Sequence, residues 1–534
     1  MTATLSLACP DVSDLVEWWH THSQHAGVCH FVWQCEQAPD YATLAQNLQP
    51  YPELREALLP QWWGLLPGWH RIALHHEQRI LHVAIGEITS ILKACTGQFN
   101  HIKVHAPLPE HSFKALAQRA QHGCTLHWPS GQPHQAALRA QGWHADSATH
   151  YSYTPHWLPA PPPPTAGTAL VLGAGLSGAA CAWSLAQRGW QVHVLDTAPH
   201  PAAGASGLPV GLIVPHTSAD DTLISQITRA GIRCTLQRVR ALLTEGQDWG
   251  ATGVVEHCVE GKSKLPKVWQ DHPEAAAWST PATAQQRAAA MLPESAVALW
   301  HPHAAWVKPA ALVRALLQHP NITFTGAANT FAIYHNGTHW LTPHTPPAHL
   351  LVVAAGPATT GLLQQLQATP LQLNPLRGQV AFAQHPAHAA LPTIPVNGKG
   401  SVACHIPTPR GPMWITGSTF TRGDTNTAVR PQEFPEIAHK LGVLHPPLAQ
   451  ALHNAWQAPS PVQGWAGVRA TLPNRMPAVG LWPCPQAPAL AVCAGMGARG
   501  LSLAMLSGEL LANIWHQEPA ILPPAQVKLL NKTV

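Results

Sequence analysis

Apolar and polar positions along the N-terminal part of the chain follow the periods of short strands and helices. Residues 79–86 predict a strand, and the helical pattern of residues 87–94 follows it directly. A further helix is predicted at residues 113–122, and residues 136–143 predict a helix that leads into a strand at residues 149–153. Strands that alternate with helices are typical of an α/β domain.

A more regular pattern begins at residue 168. The apolar residues 168–172 predict a buried strand, residues 179–188 have helical periodicity, and residues 191–195 predict a second strand. Strand, helix and strand in this order predict a βαβ unit and therefore a parallel sheet.

Three glycines occupy the junction between that first strand and its helix. Gly173 permits a tight turn, Gly175 lets the backbone approach a pyrophosphate, and Gly178 lets the helix pack closely on the strand. The helix N-terminus adds free N–H groups and partial positive charge. Asp196 follows the second strand, about 20 residues further on, where a carboxylate can bind ribose hydroxyls. The pattern predicts a Rossmann-type dinucleotide site, and the acidic Asp196 disfavours a 2′-phosphate.

A run of prolines separates the two parts of the chain. Pro159 and the four prolines at 161–164 favour an extended spacer and exclude a core helix there. We therefore expect an N-terminal domain over residues 1–157, a proline-rich linker over residues 158–167, and a larger domain over residues 168–534.

Composition narrows the possible partners and surroundings. The net charge of +4 permits an anionic partner such as nucleic acid without requiring one. The eleven cysteines form no C-x-x-C pair, so we expect reduced thiols, no disulfide framework and no metal site. The chain begins without the basic start and apolar core of a signal peptide.

Two long apolar stretches do not predict membrane spans. Residues 159–187 open with prolines and contain the motif glycines, and residues 487–515 include Arg499 and Glu509. Since a span needs about 20 predominantly apolar residues, we expect no membrane partner and a cytoplasmic protein.

Several segments of the larger domain resemble the D-amino-acid-oxidase and glycine-oxidase superfamily of FAD enzymes. They are Gly204-Ala205-Ser206-Gly207 with Gly211 and Pro215, the run ending at Gly356, and Gly495-Met496-Gly497-Ala498-Arg499-Gly500-Leu501. The resemblance implies a Rossmann-type FAD-binding domain with an inserted mixed-sheet substrate domain of the glycine-oxidase kind. It also implies that FAD is bound by Gly173, Gly175, Gly178, Asp196, Ala205, Ser206, Gly207, Gly356, Gly497, Arg499, Gly500 and Leu501.

Within that superfamily the chain resembles the bifunctional enzymes that complete 5-methylaminomethyl-2-thiouridine at the wobble position of tRNA. The matching segments of the larger domain are Trp306-Val307-Lys308-Pro309, Leu376-Arg377-Gly378-Gln379-Val380, the region from Ile415 to Gly423, and the region from Gly467 to Pro477. In the N-terminal part, Leu65 to Arg71, Gly86-Glu87-Ile88 and Gly142-Trp143 resemble the second half of that family's methyltransferase domain.

This resemblance implies an activity on tRNA. The expected reaction is FAD-dependent oxidative removal of the carboxymethyl group from 5-carboxymethylaminomethyl-(2-thio)uridine, which leaves 5-aminomethyl-(2-thio)uridine and glyoxylate. The anticodon wobble uridine of tRNA is the expected partner. The oligomeric state stays open, and a monomer is compatible with the sequence.

The family's following methylation is expected to be lost here. Before Gly86 the N-terminal part has only Gly27, Gly64 and Gly68, and therefore no glycine-rich loop for S-adenosylmethionine. Where the family has aspartate, glycine, an aromatic residue, alanine and proline, this chain reads Ile102-Lys103-Val104-His105-Ala106-Pro107. We expect a truncated α/β methyltransferase-like domain, with S-adenosylmethionine as a cofactor only if that activity remains.

A substrate carboxylate calls for a guanidinium group, which can bind it through two parallel hydrogen bonds. The candidates are Arg377, Arg422, Arg469 and Arg499. Trp306 and Phe420 are candidates for stacking on a uracil base. Among 36 histidines, the sequence singles out no general base.

Two other functions remain open at this stage. One is a small-molecule amine or amino-acid oxidase of the glycine-oxidase type, which would have no affinity for tRNA. The other is a flavin-bound or tRNA-bound module without turnover. The methyltransferase-like remnant favours the tRNA enzyme over the first, and the retained flavin motifs argue against the second.

Overall fold

The computed structural model describes residues 2–9, 11–128, 135–157, 164–329, 332–386, 389–457 and 460–531. Most of the expected linker, residues 158–163, lies outside the described residues, and the division into domains at 157 and 168 remains a prediction. None of the described helices is both long enough and apolar enough to cross a bilayer.

An eight-stranded mixed sheet forms the N-terminal part. Its strands are β1 (Thr2–Leu7), β2 (Cys29–Cys35), β3 (Gly68–Leu74), β4 (Arg79–Ile85), β5 (Phe99–Val104), β6 (Ala120–His127), β7 (Trp143–Ala145) and β8 (His150–Tyr153). They lie in the order β3-β4-β2-β1-β5-β6-β8-β7. Because β1 pairs in parallel with β2 and with β5, the carboxyl ends of these three strands meet at one edge.

Helices cover both faces of this sheet. They are α1 (Ser13–His22), α2 (Tyr41–Asn47), α3 (Pro52–Leu58), α4 (Ile88–Ala94), α5 (Phe113–Arg119) and α6 (Gln135–Ala140). Along β2, Val32 belongs to one apolar cluster, whereas its neighbours Phe31 and Trp33 belong to another. Since successive side chains of a strand point to opposite faces, the sheet has a core on each side.

The sequence located these elements well but misplaced two helix ends. The strand and helix predicted at 79–94 are confirmed, with the Glu87 carboxylate accepting the backbone N–H groups of Thr89 and Ser90. The helix predicted at 113–122 ends at Arg119, because the next residues enter β6 and bury Cys124 in the sheet. The helix predicted at 136–143 ends at Ala140, before β7.

The C-terminal part contains twenty-one further strands among the described residues. They are β9 (Thr168–Leu172), β10 (Gln191–Leu195), β11 (Gly211–Ile213), β12 (Trp249–Gly250), β13 (Val254–His257), β14 (Thr280–Pro281), β15 (Ala298–His301), β16 (Ala305–Val307), β17 (Ile322–Thr325), β18 (Tyr334–His335), β19 (Trp340–Thr342), β20 (Thr345–Ala348), β21 (Leu350–Val353), β22 (Asn374–Gln384), β23 (Val396–Gly398), β24 (Gly400–Ile406), β25 (Met413–Gly417), β26 (Thr421–Arg422), β27 (Gln463–Thr471), β28 (Ala478–Leu481) and β29 (Ala489–Ala494).

The helices of this part are α7 (Leu176–Ala186), α8 (Leu223–Leu242), α9 (Ala284–Ala289), α10 (Pro309–Leu316), α11 (Thr359–Gln365), α12 (Phe434–Leu444), α13 (Pro446–Ala451), α14 (Gly500–His516) and α15 (Pro524–Leu530). The predicted strands β9 and β10 are confirmed with the bounds that the sequence indicated. Helix α7 begins three residues earlier than predicted, because Gly175 already serves as its N-cap.

Two large sheets organise the C-terminal part. One has the order β17-β10-β9-β21-β29-β28, and every neighbouring pair in it is parallel except β28 with β29. The other is a nine-stranded mixed sheet, whose strands β13 to β15 and β22 to β27 come from chain segments between β10 and β29. This arrangement confirms the predicted Rossmann-type domain with an inserted mixed sheet.

A buried ionic network joins the N-terminal and C-terminal parts. We call it the interface network, and its members are Arg71, Glu77, Arg188, Arg238, Glu509 and Glu518. Each of these side chains is 12% exposed or less. Three arginines therefore balance three glutamates out of contact with water.

Glu509 of α14 is the centre of the interface network. Its carboxylate accepts hydrogen bonds from Arg71 at 3.0 Å, from Arg188 at 3.2 Å and from Arg238. Burial alone would raise the pKa of Glu509, but the three guanidinium groups lower it below its ordinary value. The carboxylate is therefore charged at neutral pH.

The outer members tie further elements to this centre. Arg238 donates to Glu77 at 3.0 Å, and Arg188 donates to Glu518 at 2.6 Å. Glu518 lies 3.5 Å from the buried His30 on β2. The network thus connects the N-terminal sheet to α8, to α14 and to the residue just after α7.

Replacing the centre of the network tests its contribution to stability. We expect Glu509→Gln to lower the free energy of unfolding by about 3–5 kcal/mol, because it leaves buried guanidinium groups without their counter-charge. The measurement is thermal unfolding followed by circular dichroism. Glu53→Gln, at an exposed position of α3, is the matched control and should leave the melting temperature unchanged. Equal melting temperatures for the two variants would contradict this account.

Candidate functional site

A cavity of about 1210 Å³ lies where the Rossmann-type sheet meets the nine-stranded sheet. Gly173, Asp196 and Ala354 line it, and each directly follows a parallel strand. Ligands of open α/β sheets bind at the carboxyl ends of the strands, so this is the expected position for a dinucleotide.

The motif glycines shape the floor of the cavity through close backbone approaches. Gly173 has φ +104°, and a Cβ atom on it would lie 2.6 Å from the carbonyl oxygen of Ala354. A Cβ atom on Gly178 would lie 1.7 Å from the carbonyl oxygen of Gly173. Any larger residue at Gly178 would therefore push α7 away from the strand that precedes it.

Hydrogen bonds fix the loops around the N-terminus of α7. The Asp196 carboxylate accepts the backbone N–H of Ala174 at 2.7 Å and that of Ala198 at 2.9 Å. The Ser206 hydroxyl accepts the N–H of Leu176, in the first turn of α7, at 2.9 Å. Each Asp196 oxygen keeps lone-pair capacity toward the cavity, so the site fits the ribose and pyrophosphate of FAD.

A second helix N-terminus faces the same cavity. The turn Gly497–Arg499 leads into α14, and Arg499, Gly500 and Leu501 line the cavity. Gly497 has φ +57° and Gly356, another residue of the cavity lining, has φ +55°. A helix N-terminus stabilises negative charge, which suits a reduced flavin ring.

Most residues predicted to bind FAD line the cavity, and two do not. Gly178 and Gly207 lie behind its wall, where the absence of a side chain allows backbone packing; a Cβ atom on Gly207 would lie 2.7 Å from the carbonyl oxygen of Ala202. The lining residues among those predicted are Gly173, Gly175, Asp196, Ala205, Ser206, Gly356, Gly497, Arg499, Gly500 and Leu501.

The structure removes Arg377 from the candidates for binding a substrate carboxylate. Its side chain is fully buried, and its guanidinium donates to the Glu433 carboxylate at 2.6 Å and to the carbonyl oxygens of Asn426 and Ala428 at 2.7 Å. These bonds leave no room for a ligand. Arg422 lies exposed on the edge strand β26 and does not line the cavity.

Arg469, on β27, lines the cavity with unused hydrogen-bonding capacity. Its Nη2 donates to the Ser418 hydroxyl at 2.9 Å, whereas its buried Nη1 has no partner in the described structure. Burial lowers the pKa of Arg469, and none of the acidic side chains in the described ranges forms an ion pair with it. A buried cationic donor without a partner calls for an anion.

The two aromatic candidates have different surroundings. Trp306 is 5% exposed and packs in an apolar cluster with Val380 and Ile415, so it is a core residue. Phe420 is 55% exposed and lines the cavity, with the Arg469 guanidinium 4.9 Å and the Lys440 ammonium 5.5 Å from its ring centre. Phe420 therefore keeps its candidacy for stacking on a base.

Sequence reasoning missed several polar residues of the cavity. Lys264, Lys399 and Lys440 come from three separate segments and line it together with His216 and Glu256. No motif marks them, because only the folded chain brings the segments together. His216 is the single histidine of the described lining; its Nδ1 lies 2.9 Å from the Ser225 hydroxyl, and burial, then Arg499, lower its pKa.

The corresponding edge of the N-terminal sheet is filled by its own side chains. Between the carboxyl ends of β1 and β5, Asp14 accepts hydrogen bonds from Ser6 at 2.6 Å and from Lys103 at 3.2 Å, and its Oδ2 lies 2.7 Å from His105 Nε2. Cys9, Asp14 and His105 place potential metal-ligating atoms within 4.8 Å of one another. The ammonium group of Lys103 beside Asp14 disfavours a cation at this position.

Comparisons with known proteins agree with the geometry. The family model described as FAD dependent oxidoreductase matches residues 168–514. The tRNA 5-methylaminomethyl-2-thiouridine biosynthesis bifunctional protein MnmC of Paracidovorax citrulli is 40% identical over 96% of this chain and 87% of its own length. The protein of the same description from a Polaromonas species is 38% identical over 95% of this chain and 86% of its own length.

Solved structures confirm the fold of the C-terminal part. Glycine oxidase from Geobacillus kaustophilus superposes with a TM-score of 0.54 at 20% identity, over 68% of this chain and 97% of the oxidase. Iminodiacetate oxidase from Chelativorans sp. BNC1 superposes with a TM-score of 0.51 at 21% identity, over 66% of this chain and 97% of that enzyme. The expected glycine-oxidase-like architecture is therefore present.

The packing of Gly178 gives a test of the dinucleotide cradle. We expect Gly178→Ala to weaken FAD binding by about 1–3 kcal/mol, because the added methyl group displaces the N-terminus of α7. The measurement is flavin absorbance per polypeptide in the folded, purified protein, together with FAD titration of the apoprotein. Gly361→Ala, in α11 with open space around the new methyl group, is the control and should bind FAD normally. Normal FAD affinity in Gly178→Ala would contradict the assigned cradle.

Proposed function

Because this chain belongs to the FAD dependent oxidoreductase family and to the tRNA 5-methylaminomethyl-2-thiouridine biosynthesis bifunctional proteins, we propose that it oxidises a carbon–nitrogen bond of a modified wobble uridine in tRNA. The substrate is 5-carboxymethylaminomethyl-(2-thio)uridine, and the products are 5-aminomethyl-(2-thio)uridine and glyoxylate. Such a reaction on tRNA belongs in the cytoplasm. The observation that carries this proposal concerns Arg469, which lines the same cavity as the dinucleotide cradle. Its guanidinium forms no ion pair in the described structure, and its Nη1 has no hydrogen-bond partner there.

The residues of the cradle would hold FAD. Gly173, Gly175 and the N-terminus of α7 would bind its pyrophosphate, Asp196 its ribose, and the N-terminus of α14 would face its ring. When bound, FAD supplies the acceptor for the two electrons that leave the substrate.

Arg469 positions the substrate through its carboxylate. Its free Nη1 and the Nη2 held by Ser418 can form two parallel hydrogen bonds to the two carboxylate oxygens. The Arg499 guanidinium lines the same cavity and adds a second positive charge. This pair would fix the methylene carbon beside the reacting nitrogen, which is what a near-attack geometry requires.

His216 can receive a proton from the substrate amine. Its lowered pKa favours the neutral imidazole near pH 7. In the tautomer in which Nδ1 donates to the Ser225 hydroxyl, Nε2 is the available acceptor. Loss of two electrons and two protons from the N–CH₂ unit gives a carbon–nitrogen double bond. Water then adds to that carbon and releases the aminomethyl nucleoside and glyoxylate.

The N-terminal part is proposed to lack methyl transfer. A donor such as S-adenosylmethionine would bind at the carboxyl edge of β1 and β5, where the bonds from Ser6 and Lys103 hold Asp14 across the space. The three-centre contact of Asp14, Lys103 and His105 would have to break before a ligand could enter. We therefore propose that this truncated methyltransferase-like part has a structural role, through the interface network.

The overall reaction can be tested by nucleoside mass analysis. tRNA bearing 5-carboxymethylaminomethyl-2-thiouridine is incubated with the purified holoprotein and S-adenosylmethionine. We expect 5-aminomethyl-2-thiouridine to accumulate without conversion to the methylaminomethyl nucleoside. Full conversion would contradict the proposed loss of methyl transfer. Unchanged tRNA, with oxidation of glycine instead, would favour the small-molecule oxidase.

Arg469 can be tested against another arginine that the sequence proposed for the same role. We expect Arg469→Met to reduce kcat/KM roughly tenfold to 150-fold, because a charged hydrogen-bond donor to the carboxylate is lost. This corresponds to a loss of about 1.5–3 kcal/mol of transition-state stabilisation. Arg422→Met removes the same charge outside the cavity and should leave kcat/KM unchanged. Flavin content serves as the folding control for both. Equal effects of the two substitutions would refute the assignment.

A further inference from the structure

Five lysines either line the cavity or lie within three residues of one that does, and we call them the mouth lysines: Lys262, Lys264, Lys267, Lys399 and Lys440. The whole chain has only eleven lysines, so nearly half of them are in this one region. Lys264, Lys399 and Lys440 line the cavity itself. Lys262 and Lys267 lie within three residues of Lys264 in the loop after β13.

Nearby carboxylates neutralise only part of this charge. Lys399 pairs with Glu260 at 2.9 Å, and Lys440 pairs with Glu436 at 2.7 Å. The third acid of the entrance, Glu256, lies 3.1 Å from His301. Across the described part of the chain, none of the side chains of Lys262, Lys264 and Lys267 forms an ion pair, and all three are exposed.

The surplus of positive charge continues into the cavity. Lys264 and Arg499 line the cavity together with His216. Phe420 stands exposed between Arg469 and Lys440. The cavity and its surroundings thus combine exposed ammonium groups, an exposed aromatic ring and guanidinium groups.

These three kinds of group match the phosphate, the base and the substrate carboxylate of one modified nucleotide within an RNA loop. Phosphates bind best to exposed, flexible cations, bases stack on aromatic faces, and the substrate carboxylate calls for a guanidinium. A free amino acid has no phosphate groups for the exposed ammonium groups of Lys262, Lys264 and Lys267 to bind.

We propose that Lys262, Lys264 and Lys267 bind the RNA phosphates adjacent to the target nucleotide, while Phe420 stacks on the base that is extruded into the cavity. The proposal rests on the proposed function and names the residues that would make the enzyme specific for RNA. The three lysines select a nucleotide held in a polynucleotide over the free nucleoside.

The test compares two triple variants of equal charge change. Lys262→Gln, Lys264→Gln and Lys267→Gln are combined in one protein. Lys93→Gln, Lys114→Gln and Lys528→Gln are combined in the control, at exposed positions elsewhere in the chain. tRNA affinity is measured by fluorescence anisotropy over a range of salt concentrations. Oxidation of tRNA and of free 5-carboxymethylaminomethyluridine is measured with the same preparations.

We expect the mouth variant to bind tRNA roughly tenfold more weakly and to lose about 2 from the slope of log affinity against log salt. Its flavin content should remain that of the parent. Its oxidation of the free nucleoside should fall less than its oxidation of tRNA, because the free nucleoside has no neighbouring phosphates for these lysines to bind. The control variant should retain the affinity and the slope of the parent.

Two results would overturn the proposal. One is an unchanged affinity and salt slope in the mouth variant. The other is a loss of affinity in the control variant alone, which would place the RNA near Lys93, Lys114 or Lys528 and away from the mouth lysines. Failure of the proposed function is distinguishable from both, since the parent protein itself would then neither bind nor oxidise tRNA.

Discussion

The contact of Glu509 with three arginines is the constraint on which the active cavity depends. Glu509 belongs to α14, Arg238 to α8, and Arg188 follows α7, so one carboxylate fixes three helices against one another. A desolvated ionic network tolerates little displacement, because each lost contact leaves a buried charge. The N-termini of α7 and α14 face the cavity, so this network also fixes where the two ends of a dinucleotide can lie.

Glycines allow these helices to come close enough for the network to form. A Cβ atom on Gly508 of α14 would lie 2.5 Å from the backbone of Ala180 in α7, and one on Gly231 of α8 would lie 1.8 Å from the carbonyl oxygen of Ser502. The N-terminal part contributes Arg71 to the same contact. The N-terminal part therefore helps to hold α14 in place.

Local features of the site could be predicted from the sequence, whereas those set by strand register could not. Gly173 to Gly178 and Asp196 were predictable because the turn, the helix and the acidic residue lie within one short βαβ unit. Arg377 and Arg469 looked equivalent as sequence, but Leu376 is the cross-strand partner of Arg469. Cross-strand partners share a face and neighbours alternate, so Arg469 points away from the side that buries Arg377. The cationic entrance was also invisible, because its lysines come from three separate segments.

The most direct test of the account is anaerobic mixing of the holoprotein with tRNA that carries 5-carboxymethylaminomethyl-2-thiouridine. The account predicts that the flavin absorbance bleaches in proportion to the modified tRNA added, with release of an equal amount of glyoxylate, and that tRNA without this group leaves the flavin oxidised. Flavin that stays oxidised with the modified tRNA but bleaches with glycine would contradict the central claim and identify a small-molecule oxidase.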